Sequence, residues 1–194
     1  VFQRVMPFSN HQYAIGTNKG LLLIDEAANI ISLAQNDVSD EKSISHNNIL
    51  SLLKSNDGIL WIGTRNGLNK FENGNPDFIH IRSIAGKNGL SSKNVNSFIE
   101  ENDSLLWIGT PDGLNLYNKK SNTSKVFHVD EKVKKIFTSN YILCMSEDSK
   151  GNKWIGTRDG GFYKIQNNPD SYQGVKEIQH ILPSNDTSST FSVH

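Results

Sequence analysis

The sequence predicts an all-β fold built from β-propeller blades, and three observations support that prediction. A ten-residue segment occurs three times, beginning at Leu60, Leu106 and Lys153, and contains Trp-Ile-Gly-Thr each time. A fourth, eroded copy has Tyr13 in place of the tryptophan, and the first glycines of the copies are 47, 46 and 47 residues apart. Strand-like segments flank every copy. A period of about 40 to 50 residues with several strands per unit is typical of propellers and solenoids.

Each repeat is expected to begin with an apolar strand A, twelve residues before the aromatic residue of the recurring segment. These strands are predicted over Ile49–Leu53, Val95–Ile99 and Ile142–Met145, and the same offset from Tyr13 places the first one at Val1. A short polar turn follows each of them, and the recurring segment itself forms strand B. Its Trp-Ile pair lacks polar alternation, which indicates a strand that is covered on both faces.

Strand B is predicted to turn back sharply into strand C at an Asn-Gly or Asp-Gly type of turn, because glycine there allows positive φ. Strand C is expected at Leu68–Phe71, Leu114–Tyr117 and Phe162–Ile165, and strand D at Phe78–Ile81, Val126–Val129 and Ile178–Ile181. Four antiparallel strands per repeat make one propeller blade. The glycine after Trp-Ile is expected to allow a close approach of the inner strands.

The predicted architecture is therefore a single partial propeller over residues 1–194. It has four complete four-stranded antiparallel blades, at about 1–35, 47–84, 93–130 and 140–182, and residues 188–194 read as the first strand of a further blade. Four blades and one strand indicate an open arc or a fragment of a larger propeller, since closed propellers contain about four to eight blades. Such an arc exposes the apolar faces of its terminal blades, so we expect it to self-associate.

Composition excludes several classes of function. The formal net charge is zero and no long run of like charges occurs, so nothing attracts nucleic acid or an anionic membrane surface. Cys144 is the single cysteine, which rules out an intrachain disulfide and a metal site with several cysteines. No apolar stretch approaches the roughly 18 residues of a membrane span, so no direct membrane contact is expected.

The recurring segment Leu-Trp-Ile-Gly-Thr-x-x-Gly-Leu-Asn, with Ser92–Val95 and Ser139–Ile142 leading into strand A, resembles the two-component regulator propeller repeat. The resemblance covers nearly the whole chain. It implies the periplasmic sensor region of a hybrid two-component histidine kinase from Bacteroidetes, whose parent is anchored in the inner membrane and carries its kinase elsewhere. It also implies an oligosaccharide ligand and contact with the rest of the propeller and receptor.

Two other functions stay open from the sequence. The chain could be a structural or protein-interaction propeller that mediates receptor dimerisation, or a propeller lyase or glycosidase, because fold alone does not determine function. No nucleophile elbow, zinc-binding helix, phosphate loop or dinucleotide fingerprint is present, so no catalytic residue, metal site or cofactor is predicted. The paired carboxylates Glu100-Glu101 and Glu147-Asp148 are interpreted as the ends of strand A.

The candidate ligand-binding residues lie in the turns between strands B and C and in the connections from strand D to the next strand A, which a propeller places on one face. They combine charge, amides and an aromatic ring, which suits sugar hydroxyls or an acidic saccharide. They are Arg65, Arg158, Tyr141, Asn66, Asp112 and Asp159. The neighbouring polar residues Lys19, His46, Asn47, Asn48, Lys93, Asn94 and Asn140 share that face.

The remaining marked residues are interpreted as structural. The tryptophans and following glycines of the repeat are expected to pack adjacent blades together: Trp61, Gly63, Trp107, Gly109, Trp154 and Gly156. The histidines of the D strands, His80, His128 and His180, lie on separate blades and are not expected to converge on one metal ion. Cys144 is expected to be a small buried apolar residue of strand A.

Overall fold

The computed structural model describes residues 2–9, 11–72, 75, 77–81, 89–127, 139–167, 175–181 and 189–192. These residues form seventeen β-strands in four separate antiparallel sheets. Each sheet corresponds to one repeat, so the predicted blade architecture is confirmed. In the described part of the chain, no helix has the length and apolar character that crossing a membrane requires.

The first two blades have four strands each, in chain order from the inner to the outer edge. Blade 1 contains β1 (Phe2–Ser9), β2 (Gln12–Thr17), β3 (Gly20–Asp25) and β4 (Ile30–Ala34). Blade 2 contains β5 (Ile49–Lys54), β6 (Leu60–Thr64), β7 (Gly67–Phe71) and β8 (Ile79–Ile81).

The last two blades repeat this order. Blade 3 contains β9 (Ser97–Asn102), β10 (Leu105–Thr110), β11 (Gly113–Asn118) and β12 (Thr123–Phe127). Blade 4 contains β13 (Ile142–Glu147), β14 (Lys153–Thr157), β15 (Phe162–Asn167), β16 (Val175–Ile181) and β17 (Ser189–Ser192). Strands D of blades 3 and 4 begin three residues before the predicted positions, and His128 lies outside the described residues.

The blades stack in chain order through their innermost strands, so that β1 packs on β5, β5 on β9 and β9 on β13. Three apolar cores fill the three gaps between neighbouring blades. Among the described residues the sheets do not close into a ring, so the molecule is an open arc as the sequence predicts. Blade 1 and blade 4 therefore each present one face that no described blade covers.

Strand B of the two middle blades is buried from Leu60 to Thr64 and from Leu106 to Thr110, since another blade lies against each of its faces. The repeat glycine is needed there because the backbones come very close. A Cβ added at Gly63 would lie 2.7 Å from the carbonyl oxygen of Val95, in the next blade. At Gly109 the same atom would lie 2.5 Å from Cγ2 of Ile142.

The register of the first repeat differs from the prediction at Tyr13. In blade 1, Gly16 lies opposite Leu21, and Ala14 lies opposite Leu23. In blade 2, Gly63 lies opposite Leu68, and Trp61 lies opposite Lys70. The position of the tryptophan is therefore held by Ala14, and the interpretation of Tyr13 as its replacement is wrong. Ala14 is fully buried, and Phe8 and Phe71 pack in the same core with their ring centroids 5.8 Å apart. These two rings fill the space that the tryptophan side chain fills in the other two interfaces.

The expectation that Cys144 is buried is also wrong, because this side chain is exposed. Its register position matches Ser51 and Ser97, which face the next blade. In blade 4 this position lies on the face that no described blade covers. Burial here therefore depends on the presence of a following blade and not on the strand alone.

The last strand, β17, pairs antiparallel with β16 and lies at the outer edge of blade 4. The sequence places residues 188–194 at the start of a further blade. The structure confirms a strand within this range but gives it a fifth place in the fourth sheet. An outer strand has free backbone N–H and C=O groups, and pairing with β17 satisfies those of β16.

Candidate ligand-binding rim

One face of the arc carries the four turns between strands B and C together with the connections from strand D to the next strand A; we call this the loop rim. Backbone hydrogen bonds join the turn of each blade to the connection that enters the next blade. The turn glycines Gly20, Gly67 and Gly113 donate to the carbonyl oxygens of Asn47, Lys93 and Asn140 over 2.7, 2.6 and 2.9 Å. The two kinds of loop thus share one face, as the propeller topology predicts.

A threonine at the end of strand B shapes each turn. The Thr64 hydroxyl donates to the carbonyl oxygen of Gly67 over 2.9 Å and accepts from the backbone N–H of Asn66 over 3.0 Å. Thr17, Thr110 and Thr157 make the equivalent pair of bonds. Only the glycine has positive φ, at 106° for Gly67, so the two residues before it are free to vary in type.

A buried polar cluster attaches the incoming connection to the turn of the same blade in blades 2 and 3. In blade 2, the Asn69 side chain accepts from the Ser45 N–H over 2.9 Å and donates to the Ser45 hydroxyl over 2.8 Å. That hydroxyl lies 3.0 Å from the Thr64 hydroxyl. Ser91, Thr110 and Asn115 repeat this arrangement in blade 3. We call each set the Ser-Thr-Asn clip.

Sequence reasoning gave the clip residues no role, although a signal was present. Asn69 and Asn115 hold the same repeat position, and a serine lies four residues before the predicted start of strand A in both blades. The clip does not extend to the outer repeats: that position is Leu22 in blade 1 and Tyr163 in blade 4. Tyr163 instead stacks on His180 with ring centroids 4.5 Å apart.

Two of the candidate residues come together on the loop rim of blade 4. The guanidinium carbon of Arg158 lies 5.0 Å from the ring centroid of Tyr141, and the Arg158 N–H donates to the Tyr141 carbonyl over 3.0 Å. Arg158 is exposed and Tyr141 is half-buried. A cation held over an aromatic ring is fixed in direction while its N–H donors stay available to a ligand.

The other candidates lie in the turns between strands B and C of blades 2, 3 and 4. Arg65, Asp112 and Asp159 are exposed, so their side chains face solvent along the rim. Asn66 is half-buried and donates to the Ser45 carbonyl over 3.2 Å, which gives it a structural bond. Asn47 likewise accepts from the Asn36 N–H over 2.7 Å. The charged side chains, and not the amides, are therefore the groups left for recognition.

The opposite rim carries the turns from A to B and from C to D, and ion pairs connect the blades there. Glu100 pairs with Lys119 over 2.7 Å and accepts from the Asn56 N–H of blade 2 over 2.8 Å. Its neighbour Glu101 pairs with Lys153 of blade 4 over 3.1 Å. Because adjacent residues of a strand point to opposite faces, this carboxylate pair joins blade 3 to both neighbours.

The tryptophans complete the same interfaces. Trp61 is 2% exposed and lies edge-on to Tyr117 of blade 3, with 6.1 Å between ring centroids. Trp107 is 3% exposed and packs in the core between blades 3 and 4. Trp154 is only half-buried, because it lies on the uncovered face of blade 4. Each indole N–H donates to the turn after strand A, to Ser55, Glu101 and Asp148 respectively.

The described D-strand histidines bond to carbonyl groups. His80 Nε2 lies 2.6 Å from the Ser43 carbonyl oxygen, and His180 Nε2 lies 2.6 Å from that of Gly160. The described residues contain no group of three or more histidine, cysteine or acidic side chains placed to hold a metal ion. Both histidines thus have a structural bond that accounts for their position.

Two shifted pKa values lie away from the loop rim. Burial raises the pKa of the Tyr117 hydroxyl to about 12, and this hydroxyl donates to Asn122 over 2.7 Å. Hydrogen bonds from the Asn152 side chain, and then from the Trp154 indole, hold the pKa of Asp148 well below its usual range. Both groups thus keep one charge state at neutral pH and stabilise turns of the opposite rim.

The similarity to a known protein family lies in the repeats. The family model described as "Two component regulator propeller" matches residues 43–66 and 136–159, each of which runs from a connection to the turn after strand B. The resemblance identified from the sequence is therefore confirmed in these two repeats. No curated protein matches the chain in sequence.

Solved structures show the same fold. The extracellular domain of a putative hybrid two-component system from B. thetaiotaomicron is 19% identical, with a TM-score of 0.72 over 99% of this chain and 27% of that one. A second such domain from the same organism is 18% identical, with a TM-score of 0.70 over 100% of this chain and 31% of that one. The chain spans less than a third of either domain. A virginiamycin B lyase from Staphylococcus aureus is 12% identical, with a TM-score of 0.55 over 99% of this chain and 55% of that one.

Proposed function

We propose that this chain is a non-catalytic, ligand-sensing segment of the extracytoplasmic sensor region of a hybrid two-component receptor. The observation that carries the proposal is the match of two repeats to the two-component regulator propeller model, on an open arc of blades. The location outside the cytoplasm and the receptor context come from that family and from the structurally similar extracellular domains.

We propose further that the loop rim contributes to binding an oligosaccharide, with Arg158 and Tyr141, which contact each other, as its leading pair. The arginine offers several donors in a fixed plane, and the ring holds this plane in place. Arg65 presents a second exposed guanidinium from an equivalent turn. Two guanidinium groups favour an acidic saccharide over a neutral one.

The rim would act in signalling by recognising a ligand in one receptor geometry better than in another. A ligand shifts a conformational equilibrium only by its difference in affinity for the two states. The blades are joined by buried cores between them, by backbone hydrogen bonds at the loop rim and by ion pairs at the opposite rim, so each moves with its neighbours. The receptor geometry would therefore change between this arc and an adjoining domain.

The experiment compares the intact receptor with its double variant Arg65→Ala/Arg158→Ala, titrated with acidic and neutral oligosaccharides of equal length. We expect the double variant to bind the acidic ligand at least about 10-fold more weakly, because each arginine supplies charge-assisted hydrogen bonds. Calorimetry gives the affinity, and phosphorylation of the receptor reports the signal.

Lys120→Ala is the matched control, since this exposed lysine lies in the turn after β11 on the opposite rim. It removes one positive charge without touching the loop rim, so its affinity should equal that of the unmodified receptor. Unchanged affinity in the double variant would remove the loop rim from the ligand site. The assignment as a sensor would then rest on the family match alone.

A further inference from the structure

A cleft of about 430 Å³ opens on the face of blade 3 that looks toward blade 4, next to the turns of the opposite rim. Leu105, Leu116 and Phe127 form its floor, and the side chains of Asn102 and Asn118 lie at its edge. Lys125 also lines the cleft, with its Nζ 5.1 Å from the ring centroid of Phe127. The volume lies in the range of small-molecule sites, which is about 300 to 1,000 Å³.

The interfaces on the two sides of blade 3 differ in one residue of strand C. Between blades 2 and 3, Tyr117 of strand C reaches the Trp61 ring and packs against its edge. In blade 4 the position of Tyr117 is held by Ile165, because both residues lie third after the first apolar residue of strand C. Ile165 packs in the core beside Trp107 but is smaller than tyrosine.

The polar groups of the cleft favour an anion with an apolar body. The floor is made of two leucines and a phenylalanine, which gain most from an apolar ligand surface. Lys125 is the positive group in this lining, and no carboxylate among the described residues forms an ion pair with it. Its contact with Phe127 leaves all three N–H donors of the ammonium available.

We propose that this cleft is a second ligand site, which binds a small organic acid whose apolar body lies on Leu105, Leu116 and Phe127 and whose carboxylate pairs with Lys125. The site lies on the rim opposite the loop rim and is formed by one blade. It is thus independent of the proposed saccharide function and would respond to a different class of molecule.

The test uses the full chain and three probes: 3-phenylpropionate, the uncharged 3-phenylpropanol and glucuronate. Trp107 reports on the site, because its ring centroid lies 5.6 Å from that of Phe127. We expect 3-phenylpropionate to move the Trp107 indole N–H resonance and to bind about 5-fold more tightly than the alcohol, as one partly exposed ion pair allows. Glucuronate has the charge without the apolar body and should bind more weakly than either.

Lys125→Ala should abolish the preference for the acid over the alcohol while leaving the alcohol's affinity unchanged. Lys164→Ala is the matched control, since its Nζ lies 5.4 Å over the Trp154 ring but outside the cleft. This control should keep the preference. Equal affinity for acid and alcohol in the unmodified chain, an unmoved Trp107 resonance, or tighter binding of glucuronate would each overturn the proposal.

Discussion

At the scale of single residues, the polar groups of the repeat stabilise the fold through buried bonds. Asn69 is completely buried, yet it bonds to two groups of Ser45 and to the Ile62 carbonyl. A buried amide without partners costs free energy, so the asparagine can stay in the core only while Ser45 is in place. The clip therefore fixes the connection that carries part of the loop rim.

We predict that Asn69→Ala lowers the free energy of unfolding by about 1 to 3 kcal/mol, because it leaves the Ser45 N–H without its partner in the core. Urea denaturation followed by circular dichroism measures the change. Asn56→Ala is the control, since the Asn56 side chain is exposed in the turn after β5. A loss no larger than that of the control would show that the clip does not stabilise the fold.

At the scale of elements, a strand B gains its burial from the blade that follows it. Trp61 and Trp154 hold the same repeat position, and both indoles bond to the turn after strand A. Trp61 is covered by blade 3, while Trp154 has the Lys164 ammonium over its ring and is half-buried. The same sequence motif therefore contributes different amounts of stability in different blades.

This difference is measurable by truncation. Trp61→Ala should cost about 3 to 5 kcal/mol, because it removes a large buried side chain and leaves a cavity. Trp154→Ala should cost less, roughly 1 to 2 kcal/mol, since part of that side chain stays in contact with water in the folded state. Denaturant unfolding of both variants gives the comparison. Equal losses would mean that the uncovered face of blade 4 is buried in solution.

The strands, the turns and the common face of the loops could be predicted because they depend on residues close in sequence. Strand B and its turn follow from Trp-Ile-Gly-Thr and a glycine three or four residues after the threonine, and their spacing gives the blade. Burial at a given position depends on the neighbouring blade, which the local pattern does not contain. For this reason the exposure of Cys144 could not be predicted. The position of Ala14 follows from the sequence, because Ala14-Ile15-Gly16 aligns with Trp61-Ile62-Gly63. The packing of Phe8 against Phe71 in the same core depends on two blades.

The candidate rim could be predicted only in part, for the same reason. The position of Arg65 and Arg158 in exposed turns follows from the repeat alone. The contact of Arg158 with Tyr141 continues the β13–β14 hairpin one residue pair beyond Ile142 and Thr157, so their approach follows from the strand pairing and only the direction of the two side chains does not. The clip joins the connection before strand A to strand C, and hairpin patterns do not reveal this contact.

At the scale of the whole molecule, the arc ends in two faces of opposite kind. Blade 1 exposes the face that would meet a preceding blade, with Val5 62% and Ile30 70% exposed. Blade 4 exposes the face that would meet a following blade, with Leu143 45% and Phe162 50% exposed. Within the arc, surfaces of these two kinds pack on each other at every interface. The end of one copy therefore offers the surface that the start of another copy could cover.

We predict that the chain self-associates end to end, with blade 4 of one copy on blade 1 of the next, and that sedimentation velocity shows mass rising with concentration. Leu143→Glu/Phe162→Glu blocks one face, and Ile30→Lys/Leu33→Lys blocks the other, so each double variant alone should be monomeric. Because each variant keeps the face that the other lacks, an equal mixture should form a dimer and no larger species, which distinguishes this arrangement from pairing of like faces. An unmodified chain whose mass stays at 21.7 kDa at every concentration would contradict the prediction.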